Sequence, residues 1–512
     1  MAVAQSLGQR ELTVVLRRVT SVPGPMQVDI VTHRGSPAGE LELSVVPTGT
    51  SSTVSLPAPG AAVSRTTLPL GPEPGSYGTS LDVDRAGPWE LVVDDGDRVA
   101  RIPFVVAAHN PSPAEFLVYA GFITAGGLIL ASGVLALVLR RGWGAGIPAV
   151  AAVAAIAMAV TAAALSASTP APPAPGFDID ATVDNVEDPY DVTGPPMGDH
   201  SRPPVALVVD GRPVAGVPST IELRFADTST GLIVDDLLVH DGALVHLLLV
   251  GPTGELEHLH PVRSDAGVYE VVTVLPVAGH YAVSAEVARR GGGIQQVRHA
   301  AGIDATGAPG LAAGVPVEPL VISASTPSAS ATTDDTAVTI TAAGLVSGGV
   351  STVTLSVGDV GDLQLWLGML GHLVVAGPLA AHAPDDTGGP AGVGAQVSDA
   401  GWWAHAHSMG SMAHSPVTAA EVAEDPGASG HHGSAPVSPE AAAPDHSESM
   451  IVSPTNGDSA PDETVAAYGP DVGFSLSFPQ PGRYLAWLQF ERGFHVSTVP
   501  VEFYVAAPGG TP

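Results

Sequence analysis

Two long apolar runs separate a shorter N-terminal part of the chain from a longer C-terminal part. Residues 116–139 carry no charged side chain, and residues 147–167 form a second uncharged run after a short link. Each run is long enough to cross a hydrocarbon core about 30 Å thick as a helix. We therefore predict a hairpin of two transmembrane helices, at 114–141 and 145–167. A pair of buried core helices is the alternative.

The cations nearest to these helices are Arg140 and Arg141, in the link between them. Because cytoplasmic loops carry an excess of basic residues, we place the 140–146 loop in the cytoplasm and both termini outside the cell membrane. An exported N-terminus needs a signal peptide, and Ala2-Val3-Ala4 resembles the end of one, so we expect the remainder to precede Met1. A cytoplasmic N-terminus with inverted topology is the alternative.

Outside the apolar runs, short segments of alternating apolar and polar residues are separated by Gly- and Pro-rich turns. This pattern predicts a mainly β protein built of antiparallel β-sandwich domains. We expect three of them, at residues 1–110, 205–305 and 337–507, with linkers at 168–204 and 306–336. The third is interrupted at about 413–472 by a stretch rich in Ala, Pro, Ser, Glu and His. Such a composition cannot bury a core, so we expect this insert to be disordered.

Internal repeats support the division into sandwiches. A Gly followed two residues later by an aromatic residue opens a predicted strand in each domain, as Gly87-Pro-Trp89, Gly279-His-Tyr281 and Gly482-Arg-Tyr484. The Gly allows a tight bend and the aromatic side chain can fill the core. We interpret this repeat as structural.

Histidines are repeated as well. In the second block, His246 precedes the turn Gly251-Pro-Thr-Gly254, and His258 and His260 follow it. A three-residue loop with Gly in its last position pairs residues whose numbers sum to 506, which sets His246 opposite His260. His258, two residues away, then shares that face. A two-residue loop would instead shift the register by one residue and put His246 on the other face.

The third block contains the matching histidines His372, His405 and His407, followed by Met409 and Met412. Imidazole suits copper(II) or zinc, whereas the soft thioether favours copper(I). We predict a copper site formed by this trio with Met409 or Met412 as an extra ligand, and a second site at His246, His258 and His260. The alternative is that each histidine is a structural side chain.

These strings resemble a known group of bacterial domains. Leu367–His372 and Trp403–Met409 look like the GMxGH…AHxH elements of secreted domains near the YtkA-like and FixH-like families, which are described as heavy-metal or copper associated. His246–Pro261 resembles their H…HxHP variant, and Gly87–Leu91 resembles the closing strand of YtkA-like domains. The resemblance implies immunoglobulin-like β-sandwiches and metal handling.

Composition and the absence of known motifs limit the classes of function that we expect for this chain. The 512 residues carry 51 acidic and 19 basic side chains, all of the latter Arg, for a net charge of −32. With no basic stripe to neutralise phosphates, we expect no nucleic-acid partner. The absence of Cys excludes thiolate metal sites and disulfides. No GxSxG, HExxH or P-loop motif occurs, so we expect no enzymatic activity.

Together these patterns predict a membrane-anchored, extracytoplasmic metal-binding protein that captures or delivers copper at the cell surface. Its expected partners are the lipid bilayer, through the two helices, and copper-handling proteins of the envelope. The alternative function is a structural or interaction module of the cell envelope, built of immunoglobulin-like domains that bind no metal.

Overall fold

The computed structural model describes residues 1–17, 19, 22–48, 61–106, 113–139, 142–166, 202–307, 317–380, 392–408 and 464–509. In these ranges the chain forms sheets that pack in pairs around separate hydrophobic cores, together with two long apolar helices. The predicted mainly β fold class with a helical pair is therefore confirmed.

The first sandwich precedes the helices. Its strands are β1 (Ala2–Leu7), β2 (Arg10–Leu16), β3 (Gly24–Thr32), β4 (Gly39–Pro47), β5 (Ser64–Leu70), β6 (Gly75–Val83), β7 (Gly87–Asp94) and β8 (Val99–Val106). They form two antiparallel sheets with the orders β1-β2-β3-β6 and β5-β4-β7-β8.

The helices α1 (Pro113–Leu139) and α2 (Gly142–Ser166) pack against each other. A Cβ atom at Gly121 would lie 2.8 Å from the Cβ of Ala159, so the missing side chain allows the two backbones to approach closely. Both helices are long and apolar enough to cross a membrane. Their outer faces leave large apolar side chains uncovered, with Leu137 82% exposed. The helices begin and end within a few residues of the predicted bounds.

The second sandwich contains β9 (Val205–Asp210), β10 (Val214–Ala215), β11 (Ser219–Asp227), β12 (Leu237–Leu238), β13 (His246–Val250), β14 (Leu256–Leu259), β15 (Val262–Asp265), β16 (Val268–Thr273), β17 (Gly279–Arg289) and β18 (Gly293–Gly307). One sheet has the order β10-β18-β17-β13-β14, with β12 also paired to β17, and the other has the order β15-β16-β11-β9. Only the short β10 pairs in parallel in these sheets.

The third sandwich contains β19 (Leu320–Ile322), β20 (Ser328–Thr333), β21 (Thr336–Ala343), β22 (Val350–Val357), β23 (Gly371–Leu379), the short helix α3 (Val393–Ser398), β24 (Trp402–Ser408), β25 (Asp471–Ser477), β26 (Gly482–Arg492) and β27 (His495–Val505). Its sheets have the orders β19-β27-β26-β23-β24 and β20-β21-β22-β25. The first of these repeats the β10-β18-β17-β13-β14 order of the second sandwich.

Two predicted boundaries differ from the structure. The expected linker at 306–336 contains β19 and β20, because the Ser/Thr-rich segment pairs as an edge strand against β21. Residues 413–463 of the predicted insert at about 413–472 lie outside the described part of the chain. Its last residues belong to the fold, since Val472 is fully buried and β25 pairs with β22.

The Gly–aromatic repeat forms the same corner in all three sandwiches, as interpreted from the sequence. The glycines have positive φ angles of 120°, 141° and 148° at Gly87, Gly279 and Gly482. Each aromatic residue is buried, and its polar tip donates to the carbonyl four residues earlier. These bonds are Trp89 Nε1 to Arg85 at 3.1 Å, Tyr281 OH to Val277 at 2.8 Å and Tyr484 OH to Gln480 at 2.7 Å. They resemble the tyrosine corner of immunoglobulin-type domains.

Strands β13 and β23 are buried on both faces, which explains their unbroken apolar sequences. Leu247 and Leu373 point into the cores of their own sandwiches. Leu248 and Val374, one residue further on, share a separate cluster with Trp487 between the two sandwiches. The second and third sandwiches therefore pack through one sheet each.

The first sandwich is attached to this pair. The backbone N–H of Ser6 donates to the carbonyl of His260 at 2.8 Å, and Arg263 pairs with Glu90 at 2.7 Å. Residues that precede α1 are therefore in direct contact with residues that follow α2.

Candidate metal centre

Six histidines meet where the second and third sandwiches join. They are His246, His258 and His260 of the second sandwich and His372, His405 and His407 of the third. The ring centroids of His258 and His405 are 4.9 Å apart, and those of His258 and His372 are 5.4 Å apart. Two separate sites, one in each sandwich, were expected. The structure instead brings both trios together, because the sheets that carry them face each other.

The predicted hairpin register in the second sandwich is confirmed. Leu248 pairs with His258, so partner numbers sum to 506. The turn is closed by a bond from the Gly251 N–H to the Glu255 carbonyl at 2.9 Å, and Gly254 has a φ of 92°. This loop sets the rings of His246 and His260 5.2 Å apart on one face.

In the third sandwich, His372 pairs directly with His407 across β23 and β24, and His405 lies two residues along the same face. The ring centroids of His372 and His407 are 5.0 Å apart. Met409 and Met412, the predicted thioether ligands, lie outside the described residues.

Equivalent tight turns precede the first histidine of each trio. Asp241-Gly242 has φ angles of 47° and 77°, and Leu367-Gly368 has φ angles of 57° and 78°. The turns pack against each other, since a Cβ atom at Gly242 would lie 2.9 Å from the Cβ of Leu367. Only glycine fits there without strain.

These turns present backbone carbonyls to two of the histidines. His246 Nε2 lies 3.1 Å from the carbonyl oxygen of His240, and His372 Nε2 lies 3.4 Å from that of Trp366. A carbonyl oxygen can only accept a hydrogen bond, so Nε2 carries the proton in both rings. The Nδ1 atoms of His246 and His372 therefore present lone pairs.

Each of the other four histidines has its Nδ1 atom near an acceptor from a different sandwich. These contacts are His258 to Gln489 Oε1 at 2.8 Å, His260 to Glu11 Oε1 at 2.6 Å, His407 to Asp241 Oδ2 at 2.8 Å and His405 to Glu286 Oε2 at 3.6 Å. Acceptors at Nδ1 favour the tautomer in which Nε2 is unprotonated. This applies to His258, His260 and His407, whose Nε2 atoms are then available as ligands, whereas Nδ1 of His405 has no hydrogen-bond partner within the described part of the chain.

The available nitrogens face one another inside the cluster. His246 Nδ1 is 3.3 Å from His258 Nε2, and His372 Nδ1 is 3.2 Å from His405 Nε2. At this distance the two nitrogens of a pair either share a proton in a hydrogen bond or can bind one cation together. Among the described residues, the buried Nε2 atoms of His260 and His407 have no hydrogen-bond partner.

Burial keeps the central imidazoles neutral. It is the main cause that lowers the pKa well below the ordinary value of 6.5, and the charges of neighbouring imidazoles add to the effect, at His246, His258, His372 and His405. Neutral imidazole is the form that binds metal ions.

Carboxyl groups surround the histidines. Burial would raise the pKa of Glu11, but the charge and hydrogen bond of His260 outweigh it and lower the pKa. Burial raises the pKa of Glu286 to about 7. Asp241 contacts both His240 and His407, and ligand atoms of His240, Asp241 and Glu286 lie within 4.8 Å of one another.

The hydrogen-bond acceptors of the histidines and one aromatic neighbour of the cluster were not predicted from the sequence. Glu286 and Gln489 each stand five residues after a corner tyrosine, so the Gly–aromatic repeat contained a signal for both. Trp366, equivalent to His240, packs on the cluster, with its ring centroid 4.5 Å from that of His372. No pattern identifies Glu11, because it lies in another domain.

The chain was compared with family models, curated proteins and solved structures, and only the solved structures gave matches. No family model and no curated protein matches the chain. Among solved structures, the chain is similar to Salmonella alpha-2-macroglobulin reacted with methylamine, with 9% identity over 99% of this chain and 24% of that one, at a TM-score of 0.18. This chain thus spans about a quarter of that protein.

Two further structures are a tetra-tandem repeat in the extending region of a large adhesion protein and invasin, a bacterial integrin-binding protein. The identities are 10% and 9%, over 99% and 97% of this chain and 74% and 60% of those chains, with a TM-score of 0.15 for both. TM-scores this low support no argument about function, which must therefore be inferred from the chemistry of the histidine cluster.

Proposed function

We propose that this chain is a membrane-anchored metal-binding protein whose six-histidine cluster captures or delivers copper. One observation carries the proposal: ring nitrogens of facing histidines lie 3.2–3.3 Å apart inside the cluster, while the opposite nitrogens of His246, His258 and His372 lie within hydrogen-bond distance of acceptors. Metal-binding histidines typically donate their other N–H to such acceptors. Two nitrogens bound to one tetrahedral ion at about 2.05 Å are separated by about 3.3 Å.

Copper is the proposed ion because the donors are imidazoles. Along the first-row divalent metals, affinity for nitrogen sites is highest at copper(II). The thioethers of Met409 and Met412, close to His407 in the sequence, would favour copper(I). His407 retains 12% exposure of its side chain, whereas His405 has none, so we infer that the ion enters beside His407.

The proposed location is the outer face of the cell membrane. Two helices of membrane-spanning length separate the first sandwich from the second. The first sandwich contacts His260 through Glu11, so both flanks of the hairpin must lie on the same side of the bilayer. The Arg140-Arg141 link supports a cytoplasmic loop and extracytoplasmic sandwiches. Copper-handling proteins of the envelope are the proposed partners.

A copper titration of the full chain in detergent tests this function. We expect His258→Ala/His405→Ala to lose most of the high-affinity binding, because it removes one nitrogen from each facing pair. His299→Ala, which changes a histidine outside the cluster, should bind like the parent. Equal affinity of the double variant and the parent would favour the metal-free envelope module instead.

A further inference from the structure

The inward nitrogens of the cluster do not converge on one point. Among the residues that the structure describes, the all-histidine groups whose ligand atoms lie within 4.8 Å of one another have three members each. One is His246, His258 and His405, and the other is His372, His405 and His407. In an octahedral complex with nitrogens about 2.1 Å from the ion, no two nitrogens are more than about 4.2 Å apart. One six-coordinate ion therefore does not fit all six histidines.

We propose that the cluster is a dinuclear copper centre, with one ion at the His246–His258 pair and the second at the His372–His405 pair. This inference rests on the proposed function and adds the number and positions of the ions. The two pairs have nearly the same nitrogen separation, 3.3 Å and 3.2 Å. They occupy matching positions in the repeated sandwiches, so an environment that binds one ion is present twice.

The remaining two histidines lie next to these positions, and His407 is a member of the second three-histidine group. His260 lies beside the first pair, with its ring centroid 4.9 Å from that of His258, and His407 lies beside the second, 4.3 Å from that of His405. Both have an unpartnered buried Nε2 atom. Since His405 belongs to both three-member groups, the two ion positions are adjacent.

Carboxyl groups next to the histidines can compensate the charge of two bound ions. Buried ions need opposite charges close to them, because a medium of low polarity solvates them poorly. Glu11 and Asp241 contact cluster histidines directly, and Glu286 lies 3.6 Å from His405. Three carboxyl groups thus lie around the six histidines, which suits two cations better than one.

Copper stoichiometry tests the proposal on the full chain in detergent. The starting protein carries His414→Ala, His431→Ala, His432→Ala and His446→Ala, so that histidines of the insert do not add to the count. After dialysis against copper(I) with a competing chelator, elemental analysis should give about two copper ions per chain. His246→Ala/His258→Ala and His372→Ala/His407→Ala should each retain about one.

The outcomes separate the two proposals. A single ion in the starting protein, or loss of all copper in both pair variants while each keeps the parent's circular dichroism spectrum, would overturn the dinuclear centre and leave copper binding intact. No copper in any of the proteins would overturn the proposed function itself.

A second measurement needs no variant of the cluster and so does not depend on whether such variants fold. When the starting protein is saturated with copper(II), adjacent ions should couple, and electron paramagnetic resonance should show a half-field transition or a lost signal. A full-intensity spectrum of isolated copper(II) at saturation would contradict the proposal.

Discussion

Gln489 of the third sandwich accepts a hydrogen bond at 2.8 Å from Nδ1 of His258 in the second. In the reverse direction, Glu286 of the second sandwich lies 3.6 Å from Nδ1 of His405 in the third, too far for a hydrogen bond. The third sandwich therefore orients a histidine of the second. Metal affinity in one sandwich should depend on side chains of the other.

Gln489→Leu should weaken copper binding about 10- to 100-fold, the usual cost of losing an outer hydrogen bond to a ligating histidine. The substitution removes the acceptor that holds His258 in its binding tautomer. Competition titration with a copper(I) chelator measures the change. Gln489→Glu keeps an acceptor oxygen and should stay close to the parent. If Gln489→Leu and Gln489→Glu bind copper equally, the hydrogen bond does not position His258.

Trp366 should report copper binding through its fluorescence. Its ring centroid lies 4.5 Å from that of His372 and 5.2 Å from that of His258, well within the range at which bound copper(II) quenches an indole. We expect Trp366→Phe to lose most of the copper-dependent quenching. Trp89→Phe, which changes a tryptophan buried in the core of the first sandwich, should retain it. Unchanged quenching in Trp366→Phe would place the copper elsewhere.

The copper-free protein should become less stable in mild acid. The pKa values of His246, His258, His372 and His405 are lowered by burial, so below about pH 6.5 the unfolded chain takes up protons that the folded chain does not. Stability is then present above that pH and decreases below it, by up to about 1.4 kcal/mol per pH unit for each histidine.

Glu286 and Glu257 act in the opposite direction between their ordinary pKa of 4.5 and their raised values of about 7, as does His240, whose pKa is also raised, so three groups act against four. Melting temperatures at pH 7.5 and pH 5.5 measure the balance, and His372→Gln should reduce the difference. An unchanged pH difference in His372→Gln would show that His372 is not buried as a neutral group.

Membrane topology can be tested with alkaline phosphatase, which is active only outside the cytoplasm. A fusion after Ser201 should be active, and a fusion after Gly144 should be inactive, because the Arg140-Arg141 link favours a cytoplasmic loop. The reverse pattern would place the sandwiches and their histidines in the cytoplasm. Activity at both positions would show that the helices do not cross the membrane as a hairpin.

Local patterns in the sequence determined the elements and much of each half of the candidate site. The apolar runs specify the helices by length, and the Gly–aromatic repeat specifies a corner in each sandwich. The turn from Gly251 to Gly254 is enough to set His246 opposite His260, because strand side chains alternate with a period of two and the loop sets the register. All of these are interactions between residues close in the sequence.

Only the tertiary structure decided that the two trios form one cluster. That outcome depends on which outer sheet faces meet, and Leu248 and Val374 are apolar on those faces without specifying a partner. The acceptors are equally distant in the sequence, since His258 and Gln489 are 231 residues apart and His260 and Glu11 are 249 apart. Periodicity describes the faces of a single strand, whereas the pairing of sandwiches is set by the shape and burial of whole surfaces.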